Sequence, residues 1–390
     1  LAENLLAGLQ AELDERAANG LLRKRRLLET AQTAHIMVDG QQVLSFCSND
    51  YLDLANHPQL ITAMQDAVAK SGVGSGASHL ITGHHQYHQQ LEEVLATFVG
   101  LPAALLFSTG YMANLGVVSA LVGRGDEIFA DRLNHASLND AAVLSRATLN
   151  RYPHNDLVAL EGMLKASKVP RKLVMVDAVF SMDGDLAPVP ELLTLCEQYN
   201  AWLLLDDAHG FGILGKQGRG VLSHFKMASP HIIYMATLGK AVGAFGAFVA
   251  GDAVLIEYLL QQARTYIYTT ASPPALSATV LAALKIIKQD EARRVHLKQL
   301  IDYLKSNLHL KSWQLTESQT AIQPLIVGSN EAALSLSEYL LTLGILVPAI
   351  RPPTVPKGTA RLRISLSAAH NFDDIKCLID ALRSAEREMA

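Results

Sequence analysis

Two short segments put side chains capable of proton transfer and covalent chemistry directly after apolar runs. In Leu203-Leu204-Leu205-Asp206-Asp207-Ala208-His209-Gly210, an apolar strand ends in two carboxylates and an imidazole. Such groups move protons or hold a charged ligand. Two carboxylates there also cap the turn that follows, and the segment alone does not choose between these uses. In Met235-Ala236-Thr237-Leu238-Gly239-Lys240-Ala241-Val242-Gly243, Lys240 is the sole charge between positions 239 and 251. Desolvation among small and apolar neighbours lowers a lysine pKa and exposes the nucleophilic amine that Schiff-base chemistry uses. A surface lysine that snorkels is the commoner alternative. Ser108-Thr109-Gly110-Tyr111-Met112-Ala113-Asn114 joins a strand to a helix, where free N–H groups bind phosphate and Gly110 permits close approach. Tyr111 adds a hydroxyl donor. Asp131-Arg132-Leu133-Asn134-His135-Ala136-Ser137 offers His135 as a ring to stack on a planar ligand, and Phe180-Ser181-Met182-Asp183-Gly184-Asp185 is a fifth polar turn.

The elements that position these turns are legible as a repeating pattern. Apolar runs predict strands at 103–107, 127–130, 173–179, 202–205, 232–235 and 246–250. Helices are predicted through 122, near 136–145 and near 189–199. Short apolar strands alternating with helices predict an α/β fold with a mostly parallel central sheet covered on both faces. Ligands of such sheets bind beyond the carboxyl ends of the strands, where all five turns fall. Upstream, 3–29 reads as one or two helices interrupted by Gly20, and 36–46 as short strands around the Asp39-Gly40 turn. A long helical stretch runs from Ser272-Pro273-Pro274 to about 307. Strands at 323–327, 345–350 and 361–366 follow, with helices at 330–343 and 372–388, predicting a smaller α+β domain. The expected division is an N-terminal helical segment with short strands over 1–45, a large ligand-binding domain over 46–280 and a small C-terminal domain over 281–390.

Composition narrows the class. With 390 residues, 49% hydrophobic and 18% charged, the chain can bury a large core and is not a disordered polymer. A net charge of −4 argues against nucleic-acid binding by global charge. Three scattered cysteines, Cys47, Cys196 and Cys377, form no disulfide framework and fit a reducing compartment. The N-terminus shows no secretory pattern. Residues 94–123 are uncharged for long enough to span a bilayer, but Pro102, Ser108, Thr109, Gly110 and Asn114 break the run, so a strand, a turn and a helix are expected instead.

Taken together, these segments resemble the α-oxoamine synthases, a family of fold-type I pyridoxal-phosphate enzymes. The resemblance runs from Asn49-Asp50-Tyr51-Leu52 through Gly74-Ser75-Gly76-Ala77-Ser78, His88-Gln89-Gln90-Leu91-Glu92 and Gly218-Arg219-Gly220 to Arg361-Leu362-Arg363, and takes in the turns above. It implies a fold-type I transferase acting as a cytoplasmic homodimer with its active site at the interface. By this likeness Lys240 holds pyridoxal 5'-phosphate covalently and then serves as base at the substrate Cα. Asp206 pairs with the pyridine nitrogen, making the ring an electron sink. His209 hydrogen-bonds the ring oxygen with Ser181 nearby, and His135 stacks on the ring. Gly110, Tyr111 and Thr237 hold the phosphate, joined by Thr270 of the partner subunit. Arg363 binds the amino-acid carboxylate, where a planar fork suits bidentate pairing. Asn49, Arg23 and Thr354 are implied as further substrate contacts. The implied reaction joins L-alanine to a pimeloyl thioester with loss of CO2, the thioester being carried on coenzyme A or an acyl carrier protein. The stretch from Ala349 to Arg361 carries that choice. Glycine C-acetyltransferase, 5-aminolevulinate synthase and serine palmitoyltransferase chemistries use the same constellation, and Ile350-Arg351-Pro352-Pro353 counts against them. A scaffold that has lost its cofactor lysine is disfavoured because Lys240, Asp206, His209 and His135 are all present. A nucleotide-dependent oxidoreductase is disfavoured because no G-x-G-x-x-G opens the sheet.

Two positions depart from the family pattern. Asp53 stands where relatives often have glycine, and His79 where many have arginine. His84, His88 and Glu92 share one helical face at i, i+4 and i+8, a spacing that suits a metal. Since His88 and Glu92 match the family's own helix, no metal is expected. The run Arg23-Lys24-Arg25-Arg26 reads as a solvated helix end, or as an attractor for an acidic carrier, a coenzyme A phosphate or the pimeloyl carboxylate.

Overall fold

The computed structural model describes residues 2–389 and divides them into two compact units. The smaller unit comprises residues 1–48, Met182–Gly184 and His296–Ala390; the larger comprises Asn49–Ser181 and Asp185–Val295. In this division the N-terminal segment falls in one unit with the C-terminal residues. The smaller unit begins with the helix Ala2–Ala18, then strands β1 (His35–Val38) and β2 (Gln41–Ser45). The larger carries β3 (Ala103–Phe107), β4 (Glu127–Asp131), β5 (Thr148–Tyr152), β6 (Lys172–Asp177), β7 (Trp202–Asp206), β8 (Ile232–Thr237) and β9 (Ala247–Gly251). The smaller resumes with β10 (Gln314–Leu315), β11 (Ile322–Gly328), β12 (Ile345–Leu346), β13 (Ala349–Ile350) and β14 (Ala360–Ser365).

In the larger unit seven strands form one sheet in the order β3-β9-β8-β7-β6-β4-β5. Only β9 runs against its neighbours, so β3, β4, β6, β7 and β8 all end at the same edge. The strands read as continuous apolar runs because helices cover both faces. Leu105, Ile128, Leu173, Leu204 and Met235 pack with Val117, Leu121 and Leu138 into one buried cluster. Each such side chain contributes about 1.5–3 kcal/mol on burial, which fixes the strand ends and the turns they carry. Among the described residues, no helix is long and apolar enough to cross a membrane; residues 94–123 resolve into a helix end, β3 and the helix Gly110–Leu121.

The smaller unit holds a three-stranded sheet, β1-β2-β12, and a four-stranded sheet, β10-β11-β14-β13. The predicted strand 345–350 is two strands in two sheets: β12 runs parallel to β2, and β13 antiparallel to β14, with Pro348 between them. The predicted stretch 272–307 is likewise two helices, Pro274–Gln289 and Glu291–Asn307, broken at Asp290. The first helix stops at Ala18 because Gly20 takes a left-handed φ of +63° and Leu21 N–H donates to the Arg16 carbonyl. Residues 21–27 are irregular, so the basic run does not lie at a helix end and owes nothing to a helix dipole. His84 precedes the helix Gln86–Val99, whose N-cap is His85, so His84, His88 and Glu92 do not share one helical face.

Asp53 has φ +55°, the left-handed region that favours glycine. That is the physical sense of the family's glycine there. The Asp50 carboxylate accepts from Leu54 and Ala55 N–H at 2.9 Å each, and the Arg293 guanidinium donates to the Leu52 carbonyl, pinning the turn around it.

Candidate active site

Five strand ends, those of β3, β4, β6, β7 and β8, converge on a cavity of about 200 Å³ within the larger unit. Asp206 ends β7 and lies opposite Asp177 of β6 in the strand register. Its carboxylate accepts from Asn114 Nδ2 at 2.8 Å and Ala208 N–H at 3.1 Å. The Asp177 carboxylate accepts from His135 N–H at 2.9 Å. Burial, and then the neighbouring Asp206, push the Asp177 carboxyl well above the usual range. His135 is the N-cap of the helix Ala136–Ser145, its Nδ1 accepting from Ser137 N–H. Partial desolvation lowers its pKa against the opposing pull of Asp206, keeping the ring neutral.

Lys240 follows β8, and its Nζ lies 2.8 Å from His209 Nε2. His209 Nδ1 lies 2.7 Å from the Tyr51 hydroxyl, which donates to Asn49 Oδ1 at 3.0 Å. With the Tyr51 proton directed to Asn49, His209 donates from Nδ1 and accepts the lysine at Nε2. Asn49, Tyr51, His209 and Lys240 thus form one chain of donors and acceptors. Tyr51→Phe cuts it in the middle. Turnover is expected to fall about 2–10-fold, the scale of one hydrogen bond, and the pH titration of a lysine-bound chromophore to shift; an unmoved titration refutes the link.

The helix Gly110–Leu121 also opens at the cavity, with Thr109 as N-cap. Its first N–H groups, from Gly110 and Tyr111, lack intrahelical acceptors by geometry. Thr237 lines the same cavity, its hydroxyl donating to the Gly246 carbonyl at 3.1 Å, and Ser181 lines it from the turn after β6. The Tyr111 hydroxyl donates to Asp140. The structure thus brings Gly110, Tyr111, His135, Ser181, Asp206, His209, Thr237 and Lys240 to one cavity. Thr270 is exposed, bridges to Ser78 and does not line it. Arg363, Thr354 and Arg23 belong to the smaller unit. Arg363 is buried in β14 and donates to Ser365 Oγ at 2.7 Å. Thr354 is exposed. Arg23 is exposed beside a groove of about 870 Å³ that its neighbours Lys24, Arg25 and Arg26 line together with Arg351, Leu22, Leu28 and Leu346.

The aminotransferase class I and II family matches residues 41–382. The chain belongs to that family. Within it, a Methylobacillus flagellatus protein named 8-amino-7-oxononanoate synthase is 62% identical over 99% of this chain and 97% of its own length. A solved 8-amino-7-oxononanoate synthase from Francisella tularensis is 32% identical, with a TM-score of 0.76 over 89% of this chain and 97% of that one. A serine palmitoyltransferase from S. paucimobilis, solved with a bound pyridoxal phosphate–myriocin aldimine, is 30% identical with a TM-score of 0.91, covering 98% and 97% of the two chains.

Several residues of this aminotransferase-family site escaped the sequence reading. Asp177 and Asn114 take their importance from strand register and helix packing, and Tyr51 from a contact across 158 positions. His154 is another. Its ring lies 3.2 Å from the buried Asp131 carboxylate and 2.9 Å from Asp185, beyond Ser181 in the same turn. Burial draws its pKa down, but the two carboxylates win and raise it to about 10. Because folding raises this pKa from 6.5, the clamp contributes fully below about pH 6.5 and is lost as pH climbs through about 10. Urea midpoints of the wild type are therefore expected to fall over that window, and those of His154→Gln to fall less; parallel profiles refute the clamp.

Proposed function

We propose that the chain condenses L-alanine with a pimeloyl thioester to give 8-amino-7-oxononanoate, CO2 and a free thiol, using pyridoxal 5'-phosphate. The observation that carries this is Lys240 Nζ in hydrogen-bond contact with His209 in a cavity that Asp206 and a helix N-terminus also line. These residues fit the cofactor. The opening N–H groups at Gly110 and Tyr111 suit a phosphate, the buried Asp206 suits a protonated pyridine nitrogen, and the Lys240 amine suits an aldehyde carbon. When bound, the cofactor supplies an electron sink for a carbanion at the amino-acid Cα.

The chain's own residues do the rest. Asp206, held by Asn114 and Ala208, would set its carboxylate against the ring nitrogen. The neutral His135 covers the ring, and His209 orients its oxygen. The Lys240 amine would take the Cα proton of alanine and later return a proton there. A new bond joins Cα to the acyl carbonyl carbon as the carbon–sulfur bond breaks, and the alanine carboxylate leaves as CO2. Arg363 is assigned to that carboxylate, with Asn49 and Thr354 as further contacts. Lys24, Arg25, Arg26 and Arg351 around an apolar-walled groove support an anionic acyl donor, and Arg23 adds to this charge. The donor is carried on coenzyme A or on a transiently docked acyl carrier protein. A homodimer, with Thr270 reaching the partner's phosphate, accords with the exposed leucines of the first helix, Leu5, Leu6, Leu9 and Leu13. A cytoplasmic location accords with three free cysteines.

The test is alanine with pimeloyl-carrier protein, pimeloyl-coenzyme A and acetyl-coenzyme A side by side, scored for product mass and thiol release. Pimeloyl donors are expected to lead. Faster acetyl transfer, or glycine preferred over alanine, would instead make it a glycine C-acetyltransferase.

A further inference from the structure

Outside the cavity, the larger unit gathers three imidazoles whose placement the reaction does not use. His79 lies in the single π-helical turn His79–Gly83, His84 follows that turn, and His88 sits in the first turn of the helix Gln86–Val99. One ring nitrogen from each lies within 4.8 Å of the other two. We propose that His79, His84 and His88 form a binding site for one divalent transition-metal ion of the zinc class.

The far sides of the rings supply an independent observation. A ligating histidine nearly always gives its second ring N–H to a carbonyl or carboxylate, which fixes the tautomer. His88 Nε2 donates to the Ser272 carbonyl at 2.8 Å, leaving its lone pair on Nδ1. His84 Nε2 faces Gln89 Oε1 at 3.3 Å and the Glu92 carboxylate at 3.9 Å, leaving its lone pair on Nδ1. The Nδ1 atoms of His79 and His84 already lie 2.9 Å apart. Zinc bound tetrahedrally at ~2.0–2.1 Å separates its nitrogens by ~3.3 Å. The widest gap in the triad therefore closes by at most ~1.5 Å, which ring rotation supplies.

The exchange balances. His79 moves its proton from Nδ1 to Nε2, and His88 Nδ1 trades the N–H of His85, now 2.9 Å away, for the ion. Burial holds His79 and His88 uncharged, with pKa values lowered to about 3 and about 4, so neither carries a second ring proton that the ion would have to displace near neutral pH. His79 also stacks on Tyr266 with ring centres 4.8 Å apart, which restrains its ring plane. Three imidazoles leave a fourth position for water. This reverses the expectation of no metal: with His84 off the helix, the third ligand is His79, which no i, i+4 spacing reveals. Occupancy would tie the π-helical turn to the helix Gln86–Val99 and, through Ser272, to the segment that carries Thr270.

The test uses tag-free full-length protein saturated with pyridoxal phosphate and titrated with Co2+. One equivalent per chain is expected to give the visible d–d absorption of a four-coordinate ion, bleached by Zn2+, and Zn2+ is expected to raise the melting temperature. His84 is half-buried, so His84→Gln is expected to keep the native circular dichroism while weakening Co2+ binding more than ~10-fold. His79→Gln is expected to do the same, whereas His224→Gln, on an exposed histidine elsewhere, leaves binding unchanged. No saturable binding by the wild type, or equal affinity in the His79 and His84 variants, overturns the site and reduces the cluster to a hydrogen-bonded one. Neither result bears on the condensation reaction.

Discussion

Lys240→Ala is expected to fold, to retain pyridoxal phosphate only loosely and to form no product above about 10⁻²–10⁻⁴ of the wild-type rate, the cost of losing a positioned base. The physical case rests on placement. Lys240 lies in the turn after β8 with its amine 2.8 Å from His209. Among the described residues, no other lysine lines the cavity. Removing the amine leaves Asp206, His135 and the helix Gly110–Leu121 in place, so ring and phosphate still have partners, but nothing remains to take the Cα proton. Absorbance spectra should show loss of the lysine-bound chromophore, and mass spectrometry the loss of product. Condensation at the wild-type rate would remove Lys240 from the reaction.

Asp206→Asn is expected to slow exchange of the alanine Cα proton by about 10²–10³-fold, the usual cost of one preorganised electrostatic partner. The change is nearly isosteric. The asparagine oxygen can still accept from Ala208 N–H, and Asn114, whose Oδ1 is unpartnered, can turn its amide to accept from the new NH2, so the strand end and the melting temperature should hold. What is lost is the negative charge. Asp177 replaces it only in part, since burial, and then Asp206, push its carboxyl well above the usual range. Removing the Asp206 charge also relieves Asp177, so a modest residual rate in Asp206→Asn should disappear in the double variant with Asp177→Asn. Deuterium exchange followed by NMR separates this step from acyl transfer. A near wild-type exchange rate would refute the role of Asp206.

The sheet was legible because its strands are apolar on both faces and stop abruptly at polar turns. The strands around Leu105, Leu204 and Ile233 needed no tertiary information. By contrast, β5 and the helix Leu157–Ala166 went unrecognised. β5, with the sequence Thr-Leu-Asn-Arg-Tyr, is an edge strand with a single buried residue, so its pattern carries little apolar signal. The break at Asp290 and the division of 345–350 between two sheets depend on which neighbours each half meets. At the site, lysine, aspartate and histidine announced themselves by type and by place after a strand. Asp177, Asn114, Tyr51 and His154 did not, because each acts through a partner that only the folded sheet supplies. Family likeness supplied the roles of Arg363 and Thr270, which no local pattern shows.

The sheet that joins β1 and β2 to β12 has a consequence for synthesis on the ribosome. β1 and β2 emerge before any strand of the seven-stranded sheet, yet β12, which completes theirs, emerges after all of them. The larger unit, whose seven strands all lie between residues 103 and 251, can close during elongation. Throughout that interval β2 presents an unpaired edge, a template for pairing with another nascent chain. Yield in a heterologous host should therefore depend on elongation rate through the last hundred or so codons and on chaperone supply, more than on the stability of the finished protein.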